Sequence, residues 1–147
     1  MVDGSNIAFA HGKSNFSVKG IQMVVNWFQE RGHEQVVAFL PQFRVREAFD
    51  TLKEMETEGT VVFTPSRNIG TERICSYDDR FILDFAVEKN AIVVSRDNYR
   101  DLYQENERYQ ETIEERVLMP TFIGDTVMFP QDPLGRDGPR LDEFLRF

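Results

Sequence analysis

The sequence predicts an α/β protein of three layers, with helices on both faces of a parallel central sheet. Three observations lead there. Short apolar runs at residues 36–40, 61–63 and 91–94 have the length and boundaries of buried strands. Stretches with apolar residues at helical spacing lie between them, and strand–helix alternation implies parallel pairing with crossover helices. Aspartates then recur just after apolar segments or at helix starts: Asp3, the pair Asp78 and Asp79, and Asp97. In an open parallel sheet the ligand crevice lies outside the carboxyl ends of the strands.

Taken in order, Val2 is the stub of a first strand that ends at Asp3. Ser17 is placed to cap a helix whose Ile21, Val24, Val25 and Phe28 share one face, with Gly32 as its stop. The strand at 36–40 closes at Pro41. A polar helix over 45–58 carries Phe49 and Leu52 and ends at Gly59. The strand at 61–63 is followed by a polar loop, 65–71. A helix from Asp78 buries Phe81, Ile82, Phe85 and Ala86, and the strand at 91–94 follows. Two further helical stretches come next, the second with Tyr109, Ile113 and Val117 on one face. Residues 122–123 and 127–129 flank Gly124-Asp125-Thr126 as a short strand pair, and 130–139 is a Pro/Gly-rich loop before a last amphipathic segment, 141–147. The architecture expected is a Rossmann-like three-layer α/β/α sandwich over 1–147, a single domain, with 130–147 as a C-terminal loop and short helix packing on it.

Composition narrows the function. A chain of 147 residues with 41% hydrophobic and 29% charged residues is ordinary for one globular domain. No apolar run approaches the roughly 20 residues that span a bilayer, so no membrane partner is expected. The lone Cys75 excludes an internal disulfide or a multi-cysteine zinc site within these residues, and two histidines make a histidine-rich metal site a poor reading. A reducing, cytoplasmic compartment is expected. The net charge of −8 is unevenly spread: residues 1–74 hold 8 basic and 9 acidic residues, residues 75–147 hold 9 basic and 16 acidic. Phosphate contacts come from Lys and Arg, so weak and salt-sensitive nucleic-acid binding is expected.

Each aspartate has an ordinary reading. Asp3 before Gly4 shapes a turn; Asp78 and Asp97 stand where helices start and are good N-caps; Asp79 in a first turn favours the helix dipole. The set is harder to dismiss, because capping needs one acid per helix and leaves the doublet unexplained. Carboxylates that converge repel, and a divalent cation is the usual reason to tolerate it. The residues read as a metal-dependent phosphodiester hydrolase.

The motifs Val2-Asp3-Gly4-Ser5-Asn6-Ile7-Ala8, Val25-Asn26-Trp27-Phe28-Gln29-Glu30-Arg31-Gly32-His33, Phe63-Thr64-Pro65-Ser66-Arg67, Tyr77-Asp78-Asp79-Arg80-Phe81-Ile82, Val93-Val94-Ser95-Arg96-Asp97-Asn98-Tyr99-Arg100-Asp101-Leu102 and Asp132-Pro133-Leu134-Gly135-Arg136 run in order along almost the whole chain. They resemble the NYN-type PIN ribonuclease domain of the Regnase/MCPIP group, which usually also carries a CCCH zinc finger. The resemblance implies a magnesium-dependent endoribonuclease, manganese being the alternative ion, that cuts single-stranded or stem-loop RNA in mRNA decay or RNA silencing. It also implies PIN–PIN dimers, with a second copy or another PIN subunit.

Carried over, the family's acidic centre falls on Asp3, Asp78, Asp79 and Asp97, with Asn6 beside the first acid and Asp101 a further acid near the centre. Asp3, Asp79 and Asp97 are the expected metal ligands, Asp78 a water-orienting or second-site group, and Asn6 a holder of a ligand or of the scissile phosphate. Asp101 supports the centre from four residues beyond Asp97. Lys13, Lys19, Arg44, Arg67, Arg73 and Arg80 are the candidate RNA contacts, against the common alternative of isolated surface cations. Arg80 has the further alternative of pairing with a neighbouring acid. The chain departs from the family pattern in three places: only Met1 and Val2 precede the first motif, the loop after Pro41 is short and keeps Arg44 and Arg46, and Glu72 stands where relatives are basic. A two-residue first strand predicts a frayed Asp3 unless something braces it. The other two departures predict weaker RNA binding. The alternative is a catalytically weak domain that binds RNA or pairs with another nuclease. His11 is expected in a solvated loop, His33 near a helix end, and Trp27 and the 13 phenylalanines in the core. Ser5, Ser66 and Ser95 lack a histidine partner at readable spacing.

Overall fold

The computed structural model describes residues 1–69, 72–75 and 78–146, with backbone alone for 66–69, 72–75 and residue 78. The central sheet is parallel, with five strands in the order β3-β2-β1-β6-β7. These are β1 (Val2–Asp3), β2 (Ala38–Pro41), β3 (Val61–Thr64), β6 (Val93–Val94) and β7 (Val117–Leu118). Side chains on a strand alternate between faces. Ala38 and Leu40 therefore enter one apolar layer and Phe39 the other, just as Val94 and Val93 divide. One layer is covered by α1 (Gly4–His11), α2 (Val18–Glu30) and α3 (Phe49–Glu58). The other is covered by α4 (Asp78–Lys89), α5 (Arg100–Glu105) and α6 (Gln110–Glu115). Two hairpins, β4 (Ser66–Ile69) with β5 (Glu72–Cys75) and β8 (Thr121–Ile123) with β9 (Thr126–Met128), lie outside the sheet, and α7 (Leu141–Phe144) ends the fold. Among the described residues no helix is long and apolar enough to cross a membrane.

The strand order puts the switch point between β1 and β6: from β1 the chain builds outward to β2 and β3, then returns to add β6 and β7 on the other side. Crevices open at such points because the loops leaving the two strands turn to opposite faces. β1 has only two residues, yet it is bonded on both sides. The Val2 amide donates to the Val37 carbonyl at 2.7 Å, and the Val94 amide donates to the Met1 carbonyl at 2.8 Å. Val2 is fully buried. The neighbouring strands supply the brace that the short first strand called for.

Several elements differ from expectation. The segment after Asp3 is a helix rather than a turn and loop, and its first residue has to be glycine: a Cβ on Gly4 would stand 2.6 Å from the Phe39 carbonyl oxygen. The helix expected over 45–58 is divided, because Ala48 at φ −158° and ψ 67° separates a 3₁₀ segment, Gln42–Glu47, from α3. Gly59 ends α3 in the left-handed conformation at φ 85°, which glycine adopts without steric cost. The polar loop expected over 65–71 contains β4 and part of an antiparallel hairpin, with residues 70 and 71 outside the described residues. Val117, assigned to a helical face, instead pairs with Val93 in β7; a two-residue strand is too short to show a period of its own. Phe81, expected in the core, is 39% exposed and keeps an edge contact with Phe39.

Candidate active site

Asp3 ends β1, and its side chain caps α1 by accepting the Asn6 amide at 3.4 Å. Across the switch point the chain leaves β6 through Ser95, Arg96 and Asp97. The Ser95 hydroxyl donates to Asp3 Oδ2 at 3.3 Å, and the Tyr99 hydroxyl donates to the same oxygen at 2.8 Å. Asn6 Oδ1 accepts the Arg96 amide at 2.7 Å, which fixes the orientation of that side-chain amide. These three bonds join the β1–α1 turn to the β6–α5 turn. Asp97 Oδ1 accepts the Tyr99 amide at 2.8 Å, while the Asp97 amide donates to Ser95 Oγ at 3.1 Å. Asp97 therefore shapes a tight turn rather than capping a helix, since α5 begins three residues later at Arg100.

Asp3 is 4% exposed. Burial pushes its carboxyl up to about 7; hydrogen bonds from Tyr99, Asn6 and Ser95 oppose the rise, and the Asp79 charge adds to it. Burial, reinforced by the Asp3 charge, also holds the Tyr99 phenol well above its ordinary range, so it remains a donor. An open cleft of about 590 Å³ lies over this junction, and Asp3, Asn6, Asp79 and Asp97 all line it. The acids come from β1, the first turn of α4 and the segment after β6.

The chemistry of this donor set suits a hard divalent cation. Every described hydrogen-bond donor to Asp3 is neutral, and a second acid stands beside it. Among the described residues no three acidic, histidine or cysteine side chains form a closed ligand group. Magnesium fits such a site because it commonly binds through one or two carboxylates and keeps several waters. Two other atoms in the cleft lining lack what buried polar atoms usually have. Ser5 Oγ and Arg44 Nε are buried without a hydrogen-bond partner, and such atoms are rare in folded proteins. The Arg44 guanidinium lies 4.8 Å from the ring centroids of both Phe9 and Phe43, a cation–π arrangement that restrains it.

The remaining sequence candidates fall elsewhere. The side chains of Asp78, Arg67 and Arg73 lie outside the described residues. Asp101 is exposed in the first turn of α5 and does not line the cleft. Because Asp97 precedes that helix, the two acids do not share a helical face. Lys13 is exposed beside Ser14 of the cleft wall. Lys19 pairs with Asp125 at 2.6 Å, and Arg80 makes a forked pair with Glu105, its Nε to Oε2 at 2.8 Å; neither lines the cleft. His11 is not in a solvated loop. It ends α1 and bridges Ser17 Oγ at 2.6 Å and Asp125 at 3.3 Å, which diverts the Ser17 hydroxyl from capping α2. Sequence reasoning missed Tyr99, Ser95 and Ser5 as parts of the site. Their only sequence signal was position inside the motifs around Asp3 and Asp97.

A family model described as the Zc3h12a-like ribonuclease NYN domain matches residues 1–143. The chain is 44% identical over 152 aligned positions to endoribonuclease rege-1 of Caenorhabditis elegans, covering 99% of this chain and 24% of that protein. It thus spans about a quarter of the curated relative's length. Two solved structures of nuclear proteinaceous RNase P 2 from Arabidopsis thaliana share the fold. One aligns with a TM-score of 0.69 at 22% identity over 87% of this chain and 28% of that one. The other aligns with a TM-score of 0.70 at 19% identity over 92% and 30%.

Proposed function

The chain belongs to the Zc3h12a-like ribonuclease NYN family, and on that premise we propose that it is a metal-dependent endoribonuclease cutting single-stranded or stem-loop RNA in mRNA decay. One observation carries the reading: Asp3, Asp79 and Asp97, far apart in sequence, line one cleft at the switch point of the sheet. The family relative is itself named an endoribonuclease.

From the set Asp3, Asp79 and Asp97, one or two carboxylates would hold magnesium or manganese directly and the rest through its waters. Such an ion, when held there, would supply a lowered water pKa and offset charge on the phosphate oxygens. The protein's own groups do the rest. Asn6, with Oδ1 engaged by Arg96, has its amide hydrogens left to hold a phosphate oxygen. Arg44, held at the cleft wall by two rings and by a 3.5 Å pair with Glu47, would take the negative charge of the RNA backbone in that acid's place. Asp78 keeps the water-orienting role that family likeness implies, and Asp101 acts at most from outside the cleft. A second reading, a catalytically weak RNA-binding or dimerisation module, is favoured by the net charge of −8. In either reading a PIN partner would supply basic surface.

The test is cleavage of end-labelled single-stranded RNA across a magnesium titration, with Asp97→Asn beside wild type. Cleavage that needs the metal and disappears in the folded mutant is expected. Equal cleavage by both proteins would remove the assignment, and stable binding without cleavage would favour the second reading.

A further inference from the structure

We propose that Tyr99 is a positioning residue that sets the Asp3 and Asp97 carboxylates relative to each other. The inference rests on the metal-site reading above and adds a residue to it. Tyr99 is 2% exposed, its side chain belonging to the apolar layer that contains Phe39, Ile82, Leu83 and Leu102. A phenylalanine would fill that layer equally well. The hydroxyl reaches out of it to donate to Asp3 Oδ2 at 2.8 Å, while the backbone amide of the same residue donates to Asp97 Oδ1 at 2.8 Å. Ser95 also contacts both acids, through the Asp3 side chain and the Asp97 amide. Tyr99 links the two carboxyl groups themselves.

The backbone supports the same role. Tyr99 stands at φ 52° and ψ 36°, the left-handed region, which a bulky L residue adopts only when its surroundings hold it there. That conformation sends the amide back toward Asp97 while the ring goes down toward Asp3, at the point where the chain enters α5. Asp3 ends β1 and Asp97 lies in the segment that follows β6, so nothing local in sequence fixes their separation. Groups that hydrogen-bond metal-ligating carboxylates commonly change metal affinity or activity by about 10–100-fold when removed.

The experiment compares wild type with Tyr99→Phe in manganese binding by calorimetry and in RNA cleavage. The expected result is a loss of metal affinity and of kcat at subsaturating metal, each about 10–100-fold, with KM for RNA unchanged and the circular dichroism spectrum native. A side chain that only filled space would leave both the melting temperature and the metal affinity of Tyr99→Phe at the wild-type value. A variant-free readout accompanies it: in wild type carrying ring-labelled tyrosine, the Tyr99 Cζ resonance should move during magnesium titration with the calorimetric midpoint. Wild type that binds metal and cleaves, with Tyr99→Phe equal to it or with a stationary Cζ resonance, overturns the positioning role alone. Wild type that neither binds metal nor cleaves overturns the nuclease reading and this inference together.

Discussion

Asp3 and Asp125 both neighbour a glycine in a turn-like stretch of sequence, Asp3-Gly4 and Gly124-Asp125, yet the fold gives them opposite electrostatics. Asp3 is buried among neutral donors beside another acid, and its carboxyl rises to about 7. Asp125 is exposed on the β8–β9 turn, where the Lys19 hydrogen bond and charge, with lesser help from His11, hold its carboxyl below the usual range. The switch-point acid is kept in a state that costs the free protein stability. The hairpin acid is an ordinary surface ion pair, a kind that contributes little. A carboxylate held against its own solvation is the better functional candidate.

The largest expected effect on that contrast is catalytic. Asp79→Asn should reduce metal-dependent cleavage by about 1000-fold, as loss of a group acting on charge in the transition state does; Asp125→Asn should leave the rate unchanged. Comparable losses in both would erase the distinction.

Stability against pH comes next. The folded Asp3 pKa lies above its unfolded value, so the folded state binds the extra proton. Metal-free stability should therefore fall as pH rises from about 4 to about 7. Asp3→Asn should flatten that slope and raise stability at pH 8 in EDTA by on the order of 2–4 kcal/mol. Asp125 has the opposite sign: its contribution is present above its unfolded pKa and is lost as pH falls through the lowered folded value. Thermal melts of the two mutants from pH 4 to 8 measure both, and an Asp3→Asn melt that parallels wild type would contradict the burial argument.

A smaller effect separates the arginines. Arg44→Gln should weaken single-stranded RNA binding about tenfold and reduce the salt slope by about 0.7, the value for one lost phosphate contact. Arg80→Gln, which breaks the fork to Glu105 outside the cleft, should change neither. Fluorescence anisotropy between low and moderate salt reads both quantities. The smallest effect is at Ser5: removing a buried hydroxyl that has no partner should raise the melting temperature of Ser5→Ala by about 2 °C.

The elements most legible in sequence were those whose signal is local. The apolar runs that became β2 and β3, the amphipathic face of α2, and Gly59 at the end of α3 can be recognised without their neighbours. Helix α1 was hidden because its residues are packed close against β2 and α2 rather than presenting one apolar stripe, and Gly4 looked like part of a turn. β7 was hidden because a two-residue strand exists only through its partner Val93-Val94.

For the site, the sequence by itself determined which acids were available, that they followed strands or opened helices, and to which family their order belonged. Long-range packing set the rest: Asp3 is buried and shifted, Asp101 stands apart from Asp97, Arg80 and Lys19 pair with surface acids away from the cleft, and Tyr99 joins two carboxyl groups. The physical reason is range. Propensity and periodicity act over a few residues, whereas desolvation and hydrogen bonding depend on groups more than ninety positions apart, as Asp3 and Tyr99 are, that meet only when the sheet has formed.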